Sequence, residues 1–432
     1  MVHTRNDLVR KLAVVDLYQK FQNSIYTLYF PYFIARRLRN APKKAFTGIV
    51  HKIGIVSVAL GLAVMLLACL IMRGFQQNIT QKLTGFSGHL QVTRYSLNRS
   101  SEAPPLERHR LQGLKEAFPG VVRAVQAFAH KAVLLKAAEE VEGIVCKGLA
   151  PEATHENLRT YLTAGRLVDF PAQGYGREVL LSTATAARLG VEVGDEVVAY
   201  VVQQPPRCRK LRVVGLYATH IADLDEKLAF CDLRLVQRLN NWPNELVGGY
   251  EIFLHDFRQA GAVATQLLGW LDYDLGLTTT ERAYAAIFDW LTVVRKNALI
   301  FMVLILLVTS ANLASIVLIQ TMERTAMVGL LKTLGASHGQ IRQVMLWSNL
   351  YMVGQGMCWG NLVGVGLCAL QHYSRLIGLN PLYYYVDHVP IAWDWRLILG
   401  LNVLTLVVVF TVLLVAIALI VRLRPVKAVR FA

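Results

Sequence analysis

Glu139 with Glu140, and Asp223 with Asp225 beside His220, come nearest in this chain to a carboxylate pair or a carboxylate–imidazole group, the residue types that move protons or hold metals. Neither set reads as a tuned acid and base. Both lie in polar stretches typical of solvated loops, and no His, Cys and carboxylate cluster has metal-ligand spacing, so His220 reads as part of a polar turn. A Gly-x-x-x-x-Gly-Lys-[Ser/Thr] phosphate loop is missing, the chain contains no Gly-Lys dipeptide, and Gly-x-Ser-x-Gly is also missing. The sequence therefore predicts no catalytic, cofactor-binding or metal-binding residue, and no ATP hydrolysis of the P-loop kind by this chain itself.

The chemistry that is legible is that of a contact. In the charged insert Glu323 to Ser337, Met327, Leu330, Leu331 and Leu334 fall at i, i+3, i+4 and i+7 and share one helical face, with Glu323, Arg324 and Lys332 at its edges. Gly335 can close that helix in a left-handed conformation, and Ser337 with Gln340 has the spacing of a capping box opening another. Helix, turn, helix is the expectation. An ordinary connector lying on a membrane surface would carry the same pattern, so the elements around it must decide.

Those elements belong to a membrane protein. Hydrophobic residues make up 54% of the chain and charged ones only 17%, outside the balance of a soluble domain. Ile53 to Met72, Ala298 to Met322, Val344 to Leu370 and Leu397 to Val421 contain no charged residue, and each reaches the roughly 20 residues a hydrocarbon core requires. Orientation follows from the basic residues: Arg5, Arg10, Lys11, Lys20, Arg36, Arg37, Arg39, Lys43, Lys44 and Lys52 face only Asp7 and Asp16, which puts the N-terminus in the cytoplasm. Four spans return the C-terminus, with Arg422, Arg424, Lys427 and Arg430, to the same side, and the insert falls inside as well. The net charge of +16 flanks apolar spans without a stacking platform, which favours anionic lipid over nucleic acid. Ile25, Leu28, Tyr29, Tyr32 and Phe33 recur at helical spacing as in an interfacial elbow, with Pro31 implying a kink.

Small and polar residues mark the spans. Gly356, Gly360 and Gly364 form a ladder that lets another helix approach, either from this chain or from a second copy. Asn312, Asn361 and Asn402 are placed to hydrogen-bond between helices. The outer segment, residues 75–290, mixes strand-like runs (His89 to Thr93, Val121 to Gln126, Glu178 to Leu181, Glu196 to Val202, Lys210 to Leu216, Tyr250 to Leu254) with helical ones (Ser182 to Leu189, Asp232 to Leu239, His255 to Leu271). Arg282 to Trp290 reads as a helical extension of the second span or as a loop. Cys146, Cys208 and Cys231 are an odd number outside, so at most one bridge is possible among them.

Together the order of parts and the stretch ERTAMVGLLKTLGAS resemble the permease family of the lipoprotein-releasing ABC transporter (LolC/LolE), within the MacB/FtsX group. IMRGFQQNITQKLTGF (71–86), ARLGVEVGDEV (187–197), the stretch 213–231, PLYYYVDHVP (381–390) and RPVKAVR (424–430) are similar to stretches of that family in the same order. The fold implied is an integral membrane protein with four transmembrane α-helices and a large extracytoplasmic α+β domain inserted between the first and second. The division would be a cytoplasmic segment with the elbow helix (1–49), span one (50–74), the periplasmic domain (75–290), span two with its stalk (291–322), a coupling loop (323–342), span three (343–370), a periplasmic loop (371–396), span four (397–421) and a cytoplasmic tail (422–432). The resemblance further implies a bacterial inner-membrane location, an ABC ATPase partner holding ATP and Mg, a second permease chain identical or not, a lipoprotein substrate and a periplasmic carrier. Glu323, Arg324, Met327, Leu330, Leu331, Lys332 and Leu334 would contact the ATPase as a coupling helix. Two departures stand out: the segment 202–210, where a LolC-type subunit has a carrier-gripping hairpin, is short, and the extension before Asn23 is long. The rival readings are an FtsX-like transmitter acting on a cell-wall hydrolase and a MacB-like exporter of peptides or lipids served by a separate ATPase.

Overall fold

The computed structural model describes residues 31–34, 45–96, 102–151, 156–203, 206–380 and 384–422. Most of the proposed elbow, the C-terminal tail beyond Arg422, and parts of the 202–210 and 381–390 segments lie outside these residues. Among the described residues twelve strands are present: β1 (Leu90–Arg94), β2 (Leu106–Glu107), β3 (Val122–Ala137), β4 (Glu140–Leu149), β5 (Leu162–Gly165), β6 (Glu178–Ser182), β7 (Glu196–Val201), β8 (Arg207–Tyr217), β9 (Leu228–Asp232), β10 (Leu246–Val247), β11 (Gly249–Leu254) and β12 (Leu275–Thr279). The principal helices are α1 (Ala45–Ser87), α2 (Thr183–Leu189), α3 (Leu233–Leu239), α4 (Ala260–Leu268), α5 (Ala285–Glu323), α6 (Thr325–Thr333), α7 (His338–Ser374) and α8 (Trp395–Arg422).

The chain divides into a helical unit (Met1–Gly74, Val294–Arg375, Ile391–Ala432) and a sheet unit (Phe75–Val293, Leu376–Pro390). The expected 371–396 loop is thus shared, its middle belonging to the sheet unit. Among the described residues four helices, α1, α5, α7 and α8, are long and apolar enough to cross a membrane. All extend past the apolar runs that announce them, since helical hydrogen bonding continues wherever neither proline nor a cap intervenes. In the helical unit Val58, Ile316, Met352 and Leu413, one from each of these helices, meet in a common apolar cluster.

The sheet unit holds a ten-stranded mixed sheet in the order β12-β1-β11-β3-β4-β9-β6-β8-β5, with β7 joined to both β3 and β8. Most neighbours are antiparallel, whereas β4–β9 and β6–β8 are parallel. Its helices start where the sequence supplies an acceptor: Ser182 Oγ accepts from Thr185 N at 3.0 Å to open α2, and Asp232 Oδ1 from Arg234 N at 2.9 Å to open α3. Gly190, at φ 64°, closes α2 as its position predicts.

Three expectations change. The strand expected over Val121 to Gln126 continues to Ala137 and pairs along its length with β4, from Phe128↔Leu149 to Ala137↔Glu140. That hairpin is built from Ala, Leu, Lys and Glu, good helix formers, and turns at Ala138 (φ 48°) without a turn-forming residue, so cross-strand pairing overrides local preference. The helix expected over His255 to Leu271 shortens to α4, preceded by a 3₁₀ turn at Phe257–Gln259. The two readings of Arg282 to Trp290, helical extension or loop, narrow to the helix from Ala285, where α5 begins; Tyr284 just before it leaves helical geometry (φ −116°, ψ 42°), and its Oη lies 2.8 Å from Ser87 Oγ.

Candidate functional site

In the helical unit the insert forms a separate short helix, α6. It leaves α5 at Arg324, whose guanidinium donates to Ser348 Oγ on α7 at 3.1 Å. It ends in a turn where Ala336 N donates to Leu331 O at 2.9 Å and Gly335 adopts φ 89°, a C-terminal motif that satisfies otherwise orphaned carbonyls. The expected capping box is formed: Ser337 Oγ accepts from Gln340 N, and Gln340 Oε1 accepts from Ser337 N at 2.9 Å.

The face expected to be shared is divided. Leu331 is 9% exposed and Met327 is packed into the helical core, whereas Leu330 is 62% and Leu334 75% exposed. Glu323 is exposed, Arg324 and Lys332 half-buried. One side of α6 therefore seats the helix on its own chain. Leu330 and Leu334, one turn apart, present a small apolar surface outward.

The glycine ladder of α7 packs against α1 of the same chain. A Cβ at Gly356 would stand 2.8 Å from Val58 Cβ, one at Gly360 2.8 Å from Ala59 O, and one at Gly364 3.1 Å from Ala63 Cα. Side chains there would collide with backbone, so glycine sets the spacing of the helices. On α1, Gly54 and Gly61 likewise face Met352 and Thr309; their seven-residue spacing on one helical face was the available signal, and it escaped the sequence reading. Asn361 and Asn402 exchange side-chain hydrogen bonds at 2.7 and 2.9 Å, and Asn312 donates to Ser57 Oγ at 2.7 Å. These are the interhelical bonds expected of the three asparagines.

In the sheet unit Asp225 is buried, not solvated. It accepts from Thr219 Oγ1 at 2.6 Å and from the backbone N–H groups of Thr219 and His220 at 3.1 and 2.8 Å, and so organises the turn that contains His220. Asp223 pairs with Lys227 at 2.6 Å on the surface, and Glu139 and Glu140 are exposed in the β3–β4 turn. No group of His, Cys, Asp and Glu able to hold a metal occurs among the described residues. All six cysteines are free thiols.

Two buried lysines and their partners were not anticipated. Lys147 Nζ on β4 donates to Glu251 on β11 at 2.6 Å and to the carbonyl of Phe86 at the end of α1, and lies over the Phe128 ring. Burial raises the Glu251 carboxyl above its ordinary value, opposed by the Lys147 charge and by hydrogen bonds from Lys147 and Gln91. Lys82 Nζ, near the same end of α1, donates to Thr219 O at 2.8 Å and Tyr385 O at 2.9 Å. Burial also holds His89 down at about 4, aided by Arg123 and opposed by Asp256, and its Nδ1 accepts from Leu254 N at 2.6 Å.

Residues 299–425 match the family described as FtsX-like permease C-terminal, and residues 54–265 match the MacB-like periplasmic core domain. The chain is similar to the LolC and LolE permeases. The lipoprotein-releasing system transmembrane protein LolC of Neisseria meningitidis is 24% identical over 380 residues, 82% of this chain and 88% of that one. LolC of Xylella fastidiosa is 24% identical over 413 residues, covering 92% and 97%, and LolE of Haemophilus influenzae 21% identical over 385 residues, covering 84% and 90%. The LolC/LolE likeness thus extends over nearly the whole length, with α6 and the glycine ladder inside the FtsX-like part and most of the sheet inside the MacB-like part. The architecture, four apolar helices among the described residues and a mixed α/β unit, resembles that of a MacB/FtsX-type permease.

Proposed function

We propose that this chain is the membrane subunit of an ABC transporter that draws lipoproteins out of the bacterial inner membrane and delivers them to a periplasmic carrier, using ATP hydrolysed on a separate subunit. The observation that carries the coupling role is α6: a short helix, capped at its exit and fixed by Arg324 at its entry, that turns Leu330 and Leu334 outward between two apolar helices. Such a surface suits a groove in a soluble protein, with Glu323 and Lys332 at its margins. With both termini and α6 in the cytoplasm, the partner there is the ATPase, holding ATP and Mg. Closure of two ATPase subunits would push on α6 of this chain and of a second permease chain, identical or related. Work passes only if the contacts at α6 differ between the open and closed ATPase states.

The lipoprotein cargo is supported by the length of the match to LolC and LolE. The connection between β7 and β8 spans only residues 202–206, so capture of a carrier by a hairpin at this position would fall to a second permease chain that differs from this one.

Depletion of the protein followed by membrane fractionation tests the function, with lipidated proteins expected to accumulate in the inner membrane and an ATPase to co-purify in mild detergent. Normal lipoprotein sorting would overturn it. Normal sorting together with a co-purified cell-wall hydrolase would install the FtsX-like reading in its place.

A further inference from the structure

Within the helical unit, α1 and α5 leave a groove of about 690 Å³ between them. Its lining is ordered along α1. Lys52 stands near one end, one turn after Ile49, exposed and without a hydrogen-bond or ion-pair partner among the described residues, and Ile53 and Val56 line the groove between it and Ser57. Ser57 follows, about 7.5 Å further along the axis at 1.5 Å per residue, joined there to Asn312 of α5. Leu60 and Val64 come next, both exposed, with Leu304 and Val308 opposite. From Lys52 to Val64 the groove runs about 18 Å, close to the roughly 15 Å hydrocarbon depth of one leaflet.

The polar groups of the groove, Lys52 and then the Asn312–Ser57 pair, are followed by the hydrocarbon of Leu60 and Val64 in the order in which phosphate, ester and acyl chain follow one another in a glycerophospholipid. The Asn312–Ser57 bond uses one amide hydrogen, leaving the second amide hydrogen and the Ser57 hydroxyl hydrogen available to an ester carbonyl. A lipid entering from the opposite surface would lay hydrocarbon against Lys52, which strands a charge in an apolar setting. We propose that this groove holds one anionic glycerophospholipid from the leaflet in which α1 begins, its phosphate against Lys52, its ester at Asn312 and Ser57, and an acyl chain along Leu60 and Val64. The site is separate from the transport reading and stands if the cargo proves to be something other than a lipoprotein.

The test uses full-length protein reconstituted in nanodiscs of equal phosphatidylglycerol and phosphatidylcholine, released from them and read by native mass spectrometry. Wild type should retain one phosphatidylglycerol with about fivefold preference, the factor expected for one basic residue at a membrane surface. Lys52→Gln, an exposed substitution that leaves packing untouched, should abolish the preference, and Leu60→Trp should fill the groove and abolish retention. Equal retention of both lipids by wild type means annular lipid only and overturns the proposal, as does an unchanged preference in Lys52→Gln. No retained lipid in wild type would show the groove to be covered by another chain and overturns it too. Displacement of phosphatidylglycerol by a triacylated lipopeptide, itself dependent on Lys52, would make the groove a cargo site and overturn the resident-lipid assignment.

Discussion

Lys147→Met separates a stabilising contact from a merely buried one. Lys147 is 3% and Glu251 5% exposed at the side chain, and the ammonium serves both the carboxylate and the Phe86 carbonyl at the end of α1. Removing it leaves a carboxylate with only Gln91 as side-chain partner, at 3.3 Å, and loss of one member of a buried ion pair costs about 3–5 kcal/mol. For a unit of this size that lowers the thermal midpoint by roughly 6–20 °C. The double variant Lys147→Met/Glu251→Leu removes the stranded charge, keeps only the orphaned Phe86 carbonyl, and should recover at least about 2 kcal/mol of the loss. Proton uptake supplies a second reading. Burial already raises the Glu251 carboxyl, and removing the Lys147 charge removes an opposing effect, so the carboxyl is protonated at higher pH in the single variant. A carboxyl raised in the folded state loses its contribution as pH rises; the single variant should therefore lie closer to wild type at pH 5 than at pH 8. Thermal unfolding of the purified full-length protein in detergent measures all three chains. A midpoint shift under about 2 °C in the single variant, or a double variant no better than the single one, would refute the pairing argument.

Gly360→Leu forces side-chain atoms against the Ala59 backbone and should cost about 1–3 kcal/mol, seen as a lower unfolding midpoint; Gly366→Leu, which meets nothing within 4 Å, should stay near wild type. Leu330→Asp combined with Leu334→Asp should abolish ATPase co-purification at unchanged thermal stability, whereas Leu331→Asp, buried under α6, should lower stability itself; an ATPase that still co-purifies with the first variant contradicts the docking surface. His89, moved from 6.5 to about 4, is a base favoured neutral by folding, so its contribution is complete above 6.5 and falls by roughly 3 kcal/mol as pH drops to 4. His89→Asn, which keeps an acceptor for Leu254 N, should flatten that part of the stability profile between pH 7 and 4.

The helical unit was legible because its determinants are local. Apolar runs of sufficient length, a glycine every fourth residue and a Ser337–Gln340 cap each act within a few turns. The sheet was legible in part, where short apolar runs end in caps such as Ser182 and Asp232. Its longest hairpin was hidden because Ala132, Leu134 and Lys136 owe their strand geometry to Val145, Gly143 and Val141 across the sheet, a partner that no local pattern names. Leu331 shows the limit on the site: periodicity placed it with Leu330 and Leu334, but burial against the chain's own helices separated them. Lys147 and Glu251, 104 residues apart, could be matched only by the fold.

Because Leu376–Pro390 belongs to the sheet unit, that unit is not a single excisable insertion. A fragment cut at residues 75–293 would carry Lys82 and His220 but lose the Tyr385 carbonyl that accepts from Lys82 and the Asp387 carboxylate 2.9 Å from His220. Such a fragment would expose a lysine designed for burial, so a soluble form of this unit calls for the segment between α7 and α8 to be restored, either linked in cis or supplied as a peptide.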